Sequence, residues 1–293
     1  MTTRRDALKV GGLALLAATT SEAKSMPTMP VLFVGHGSPM NAVLDNTWTR
    51  AFRALGPAMP KPKAILAISA HWYGAGTFVT SNDSPPTIHD FGGFPRALFE
   101  IEYPARGDGA LAKRISALVD SATAKVAPSQ DWGLDHGTWS VLVHLRPEAD
   151  VPVLQLSLDA RLTPAQHVAI GRALAPLRDE GVLIMGSGNI THNLRFAMRE
   201  MQTKGLGFED FAKLSPQPWA TQFDSDVAKA LVQRDRAFLV RATESDIGRM
   251  SHPTPDHWLP LLYAAGAGGD DDVTFPNEGF DGGSFSMRIV RFG

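Results

Sequence analysis

The chain contains no cysteine. Disulfide frameworks, thiolate nucleophiles and cysteine-ligated zinc or iron–sulfur centres are therefore excluded, and any metal must be held by His, Asp or Glu. An excess of charge of one sign is also missing. The 28 Lys and Arg and 30 Asp and Glu leave a formal net charge of -2, which offers no basic surface for nucleic acid. No apolar run approaches the ~20 residues that span a bilayer, so no stable membrane span is expected. What is present is ordinary for a globular chain: 44% hydrophobic and 20% charged residues over 293 positions. A chain of that size buries roughly three quarters of its extended surface and needs no covalent staple.

Residues 1–25 read as an address and not as part of the fold. Thr3-Arg4-Arg5-Asp6-Ala7-Leu8-Lys9 has the form of a twin-arginine export signal, and a short apolar stretch follows at residues 10–18. Ser21-Glu22-Ala23 places small residues where a signal peptidase reads them. Cleavage is expected after Ala23, with the mature chain in the periplasm and the twin-arginine export machinery as its partner during targeting. Residues 26–293 then form a single domain.

Within that domain apolar strands alternate with amphipathic helices. Strands are predicted at residues 31–34, 64–70, 151–158 and 182–185. Phe285, Met287 and Ile289 alternate with Ser286, Arg288 and Val290, which predicts a half-exposed final strand. Helices are predicted over 46–55, over 219–232 and over 257–265. Another is expected after Asp108, with Leu111, Ile115 and Leu118 on one face. The capping box Thr163-Pro164-Ala165-Gln166 opens a helix that should run to about Asp179. The alternation implies an α/β fold: a single domain with a central, mostly parallel mixed sheet flanked by helices. Residues 81–109 form one long irregular stretch of the kind that carries function, often as a lid. Residues 266–269 with Asp270-Asp271-Asp272 read as a surface turn.

The nine histidines carry most of the chemical information. His36, His71 and His192 follow the carboxyl ends of apolar strands, where open α/β sheets bind ligands. His136, His192 and His257 precede apolar helical runs, and the positive end of a helix favours the neutral imidazole that binds metal or acts as a base. Asp135 and Asp256 stand directly before two of them and could orient a ring. Taken singly, each histidine reads as a hydrogen-bonded structural residue; taken together, in a chain without cysteine, they read equally as an assembled metal site. No HExxH or other closely spaced pair is present, which excludes the common local zinc motifs. His144 is expected to pack within a helix, His167 to lie at the surface, and His252 to be structural. His89, on the long stretch, could touch a substrate. Gly35-His36-Gly37-Ser38-Pro39 and Gly186-Ser187-Gly188-Asn189 lack the Lys and the spacing of phosphate loops, and Ser187 is not in a G-x-S-x-G elbow.

Six stretches carry a family resemblance. They are Gly35-His36-Gly37-Ser38-Pro39-Met40-Asn41, Ser69-Ala70-His71-Trp72, and Pro85-Pro86-Thr87-Ile88-His89-Asp90-Phe91-Gly92-Gly93-Phe94-Pro95. Further on come Trp132-Gly133-Leu134-Asp135-His136-Gly137, Gly188-Asn189-Ile190-Thr191-His192-Asn193, and Pro253-Thr254-Pro255-Asp256-His257. In this order the chain resembles the class III extradiol ring-cleavage dioxygenases, in their 4,5-DOPA dioxygenase-like branch. The resemblance implies a catalytic domain over residues 26–293 and one divalent metal, Zn(II) or Fe(II). It implies ligation by His36, His71 and His257, with His257 standing where other extradiol enzymes have a carboxylate. His192 matches a fourth active-site histidine, described as a metal neighbour or as an acid/base residue. His136 matches a histidine behind the metal that contacts substrate. The implied reaction is extradiol cleavage of a small aromatic diol with O2, giving a muconic semialdehyde-type product, with His192 and His136 moving protons and His89, Phe91 and Phe94 against the substrate. A zinc-dependent hydrolase in the same pocket, or a non-enzymatic metal-binding protein on the same fold, are the other readings these residues allow.

Overall fold

The structure, a computed structural model, describes residues 27–120 and 124–293. The export signal expected at residues 1–25 lies outside them. No helix among the described residues is long and apolar enough to cross a membrane.

The strands are β1 (Val31–Gly35), β2 (Ala64–Gly74), β3 (Thr77–Thr80), β4 (Val126–Ser129), β5 (Val153–Asp159), β6 (Val182–Gly188), β7 (Val273–Asn277), β8 (Phe280–Asp281), β9 (Phe285–Ser286) and β10 (Ile289–Phe292). The α-helices are α1 (Thr47–Leu55), α2 (Arg96–Phe99), α3 (Gly109–Asp120), α4 (His136–Leu145), α5 (Pro164–Leu174), α6 (Leu194–Lys204), α7 (Pro218–Val232), α8 (Arg236–Arg241), α9 (Asp246–Ser251) and α10 (Leu259–Gly268). Eight strands form one sheet in the order β4-β3-β5-β2-β6-β1-β10-β7. Its centre is parallel, with β2 on β5 and β6, and β6 on β1. Antiparallel pairs bring in β10 and β7 at one side and join β3 to β5 on the other. This is the mostly parallel mixed sheet expected from the alternation.

The period of two along each strand divides the core. Val31 and Phe33, Leu66 and Ile68, and Val182 and Ile184 point to one face, packed by α3, α5, α7 and α10. Leu32 and Val34, Ile65 and Ala67, and Leu183 and Met185 point to the other, packed by α1 and α4. Successive side chains of a strand must face opposite sides, so runs apolar at every position belong in a sheet covered on both. The capping signals act as read: Asn46 and Thr49 cap each other, as do Thr163 and Gln166, and Asp108 accepts from Ala110 and Leu111.

Four local expectations are corrected. The C-terminal strand is not half-exposed: residues 284–290 are buried throughout, and Arg288 is neutralised by Asp224 inside the protein. Gly266 to Gly268 belong to helix α10, not to a surface turn, because α10 crosses α5 closely. A Cβ on Gly171 would lie 2.2 Å from the Tyr263 carbonyl oxygen, and one on Gly266 2.2 Å from that of Val168. His167 is fully buried in that same contact, its Nδ1 3.0 Å from the Tyr263 hydroxyl. The α5 helix ends at Leu174, and a 3-10 turn over Ala175–Arg178 carries the chain on to Gly181 at φ 90°.

Candidate metal centre and active site

The carboxyl ends of the central parallel strands place the histidines. His36 follows β1 directly, and its N–H donates to the Gly188 carbonyl at the end of β6. His71 lies within β2, not beyond it, where pairing with β5 slips between Ile68 and Tyr73. That irregularity takes Ser69 and His71 out of register with β5, while Ser69 stays paired with Ser187 of β6. His136 is the first residue of α4, and Asp135 caps that helix. His192 lies between β6 and α6, its N–H held by the Ser251 carbonyl at 3.0 Å. His257 lies just before α10, and its carbonyl takes the Asn189 N–H at 3.1 Å. Gly188 allows this approach, since a Cβ there would lie 2.3 Å from the His257 oxygen.

Five imidazoles converge. Ring centroids of His36 and His71 are 5.1 Å apart, of His36 and His257 5.2 Å, of His71 and His257 5.0 Å, and of His71 and His136 3.9 Å. His192 lies flat on His257, centroids 3.5 Å apart and planes 2° from parallel. Phe285 covers the other side of His192 at 4.3 Å. Ligand nitrogens of His36, His71 and His136 all lie within 4.8 Å of one another, so these three form a buried triad able to hold a metal ion.

Hydrogen bonds fix which nitrogen faces the centre. Ser187 Oγ donates its one proton to the Gly137 carbonyl, so it must accept from His36 Nδ1, 2.9 Å away. His36 therefore carries its proton on Nδ1 and turns the Nε2 lone pair inward. Asp90 accepts from His136 Nδ1 at 2.9 Å, and Asp256 accepts from His257 Nδ1. Asp90 also lies 3.4 Å from His71 Nδ1. Carboxylates and hydroxyls behind a ring are the usual support of a metal-binding histidine. His36 Nε2 and His71 Nε2 are 3.2 Å apart. Two nitrogens at ~2.0–2.1 Å from one tetrahedral ion lie about 3.3 Å from each other. The donor set fits a divalent cation.

Electrostatics point the same way. Burial, then the neighbouring His257 and His136, push His36 well below the ordinary histidine range. Burial and His136 do the same to His71, and burial and His257 to His192. Imidazoles this close cannot all be protonated, and the neutral form is the ligand. Burial raises Asp90, but its bond to His136 prevails and holds it below the usual carboxylate value. Asp256 is likewise raised by burial but held low by its bond to His257. Asp135 behaves differently. Burial, with the charge of Asp90, pushes it up to about 6, and it accepts from Ser69 and Gln155 instead of orienting the His136 ring.

The histidines form the floor of a cavity of about 400 Å3. Phe91 and Phe94, from the long irregular stretch, wall it, with Phe91 edge-on to His136 at 5.5 Å. That stretch is tied down by a Thr87–Leu134 bridge and by Trp139 Nε1 donating to the Ile88 carbonyl. His89 takes no part in the lining. It turns away and donates from Nε2 to the Ile101 carbonyl at 3.1 Å. His144 donates to the Asn41 carbonyl and His252 to that of Ile190. Site roles not assigned from the sequence are those of Asp90, Ser187, Leu194, Met198, Phe211 and Phe285. Only Asp90, within the Ile88-His89-Asp90-Phe91 stretch, gave a sequence signal.

A cluster of inward-facing imidazoles at the strand ends of an α/β sheet is a metalloenzyme's arrangement, and comparison with known proteins specifies which. Residues 26–292 match the family model described as the catalytic LigB subunit of aromatic ring-opening dioxygenase. The chain is 45% identical over 273 residues to a 4,5-DOPA dioxygenase extradiol of Escherichia coli (strain K12), covering 92% of this chain and 96% of that one. It is 37% identical to a 4,5-DOPA dioxygenase extradiol of Beta vulgaris, over 89% of this chain and 95% of that one. The crystal structure of an uncharacterized protein from Escherichia coli K12 superposes with a TM-score of 0.74 at 40% identity, covering 90% of this chain and all of that one. The chain belongs to the LigB class III extradiol dioxygenase family and is an extradiol ring-opening dioxygenase, an oxidoreductase.

Proposed function

We propose that the protein cleaves a catechol-type diol in the extradiol (meta) position with O2, giving a muconic semialdehyde-type product, around one divalent metal held by His36, His71 and His257. The observation that carries this reading is the facing pair of Nε2 atoms of His36 and His71, 3.2 Å apart with the His36 proton committed to Ser187. With His71 protonated on Nδ1, which lies 3.4 Å from Asp90, both rings turn lone pairs to one point, where a cation fits. His257, whose ring is at 87° to His71, supplies a third donor from another direction. His136 lies alongside His71 on the same Asp90 oxygen, which suits a group beside the metal better than a further ligand.

When bound, Fe(II) at this position supplies the redox link between an electron-rich diol ring and O2. The chain's own residues do the rest. His136, held by Asp90, and His192, stacked between His257 and Phe285, are the bases positioned to take a diol proton and return one as the ring opens. Phe91 and Phe94 exclude water from the ring. The names of the relatives make DOPA the first catechol to try.

Anaerobic reconstitution with Fe(II), followed by a catechol and air-saturated buffer, tests this reading. Stoichiometric oxygen uptake with a yellow ring-opened product is expected. No uptake with any catechol counts against it. We further propose that residues 1–25 export the folded chain to the periplasm; replacing Arg4 and Arg5 with Lys should retain it in the cytoplasm, and unchanged export would refute that.

A further inference from the structure

We propose that the site prefers catechols whose side arm carries a carboxylate, and that Arg195 and Arg199, on α6 beside the cavity mouth, recognise that group. The inference rests on the ring-cleavage reading and names the residues that would select its substrate.

The cavity leaves room for an arm. About 400 Å3 lies within the ~300–1,000 Å3 of pockets that take drug-sized ligands, and a diol seated on the histidines fills only the floor. Leu194 and Met198 line the cavity while 50% and 40% exposed, which puts them at its mouth. Met198 also lines an adjoining depression, and that depression carries Arg195 and Arg199. The two hollows therefore share one wall, and an arm that leaves the cavity over Met198 comes out beside the guanidinium groups. Residues three and four apart on a helix are surface neighbours. Arg195 accordingly stands next to both Met198 and Arg199.

For the helix alone, these two arginines are badly placed. Arg195 is the second residue of α6, in the first turn, where the helix dipole disfavours a cation. Arg195 and Arg199 are like charges at i and i+4, which repel each other. Among the described residues, neither guanidinium has a carboxylate partner, and the one acid of α6, Glu200, is taken by Lys204 at 3.3 Å. Arg199 lies over the Phe196 ring at 5.7 Å, a contact that holds the group without neutralising it. An anion is what the arrangement lacks. A carboxylate between the two arginines offsets their repulsion, and the guanidinium N–H groups match its two oxygens. A local rule broken without a local gain is expected where a ligand supplies the gain.

Catechols that differ only in the carboxylate test this. DOPA is compared with dopamine, and 3-(3,4-dihydroxyphenyl)propanoate with its uncharged amide. Each is titrated calorimetrically into Zn(II)-loaded protein and then run as a substrate of Fe(II)-loaded protein. In the wild type the carboxylated member of each pair should bind about five- to twentyfold more tightly, between the worth of an exposed ion pair and that of a charge-assisted hydrogen bond. The preference should appear in KM and not in kcat. It should shrink as NaCl rises from about 50 to about 500 mM, because exposed charges are screened. Arg195→Gln with Arg199→Gln, at two exposed positions that a folded chain tolerates, should reduce the preference to about twofold or less. Arg195→Lys with Arg199→Lys should keep part of it, since the charge stays and the fork is lost. No preference in the wild type, a preference that salt leaves unchanged, or an undiminished preference in the double Gln variant overturns the inference while ring cleavage stands. Failure of every catechol to bind and to react overturns both.

Discussion

Asp90 grips His136 twice: one carboxylate oxygen accepts the backbone N–H at 2.9 Å and the other accepts Nδ1–H at 2.9 Å. The grip fixes the ring's tautomer and aims its Nε2 into the cavity, from a loop that carries no regular structure at that point. Asp90→Asn keeps the shape but puts an amide N–H against one of those two donors. Turnover of a catechol is expected to fall about 10- to 100-fold, the usual cost of losing such a support, with an unchanged circular dichroism spectrum. Full activity in the variant would show that the Nδ1 contact does not matter.

Ser187 plays the matching part for His36. Its only proton goes to the Gly137 carbonyl, so it can only accept from the imidazole. Ser187→Ala leaves His36 free to place its proton on Nε2. Metal affinity should drop about 10- to 100-fold, measured by competition with a chromogenic chelator. Equal affinity in variant and wild type would remove Ser187 from the account.

The α5–α10 crossing sets a stability test away from the site. In an open helix Gly→Ala gains up to about 1 kcal/mol. At Gly171 the new Cβ would lie 2.2 Å from the Tyr263 carbonyl oxygen, a backbone atom that cannot rotate away. The clash should win, and Gly171→Ala should lose about 1–3 kcal/mol in denaturant unfolding. A more stable variant would mean that the two helices separate easily.

His167 beside that crossing gives the pH dependence a sign. Burial holds its pKa down to about 4 in the folded protein, against about 6.5 when unfolded. The unfolded chain therefore binds the proton first. This group leaves stability unaffected above pH ~6.5 and costs progressively more as pH falls towards 4, up to about 3 kcal/mol. Melting of metal-free wild type should fall more steeply between pH 7.5 and 4.5 than melting of His167→Gln. Parallel curves would contradict the assignment.

Much of this architecture was legible because local rules and tertiary packing agreed. The runs at 31–34, 64–68 and 182–185 are apolar at every position, which a doubly covered sheet explains, and the box at Thr163 and Gln166 closes as its spacing requires. His36 and His192 follow their strands as the sequence implies, while His71, read as following β2, lies within it. The misreadings arose where distant partners overrode local pattern. Arg288 looked exposed, but Asp224, 64 residues away, neutralises it in the interior. His167 looked like a surface residue of a first helical turn, and only the fold brings Tyr263 to it. The roles of Ser187 and Leu194 were hidden for the same reason: a serine's acceptor role and a leucine's place at a cavity mouth depend on neighbours that sequence separation conceals.

The central claim is that His257, and not His136, completes the metal site with His36 and His71. It is tested by metal content and oxygen uptake on the same Fe(II)-loaded samples of His257→Ala and His136→Ala. The account expects His257→Ala to lose its metal along with its activity. His136→Ala should keep close to one metal per chain while turnover falls by about 10²- to 10⁴-fold, the range for a lost acid/base group. Metal retained in His257→Ala and lost in His136→Ala would contradict it.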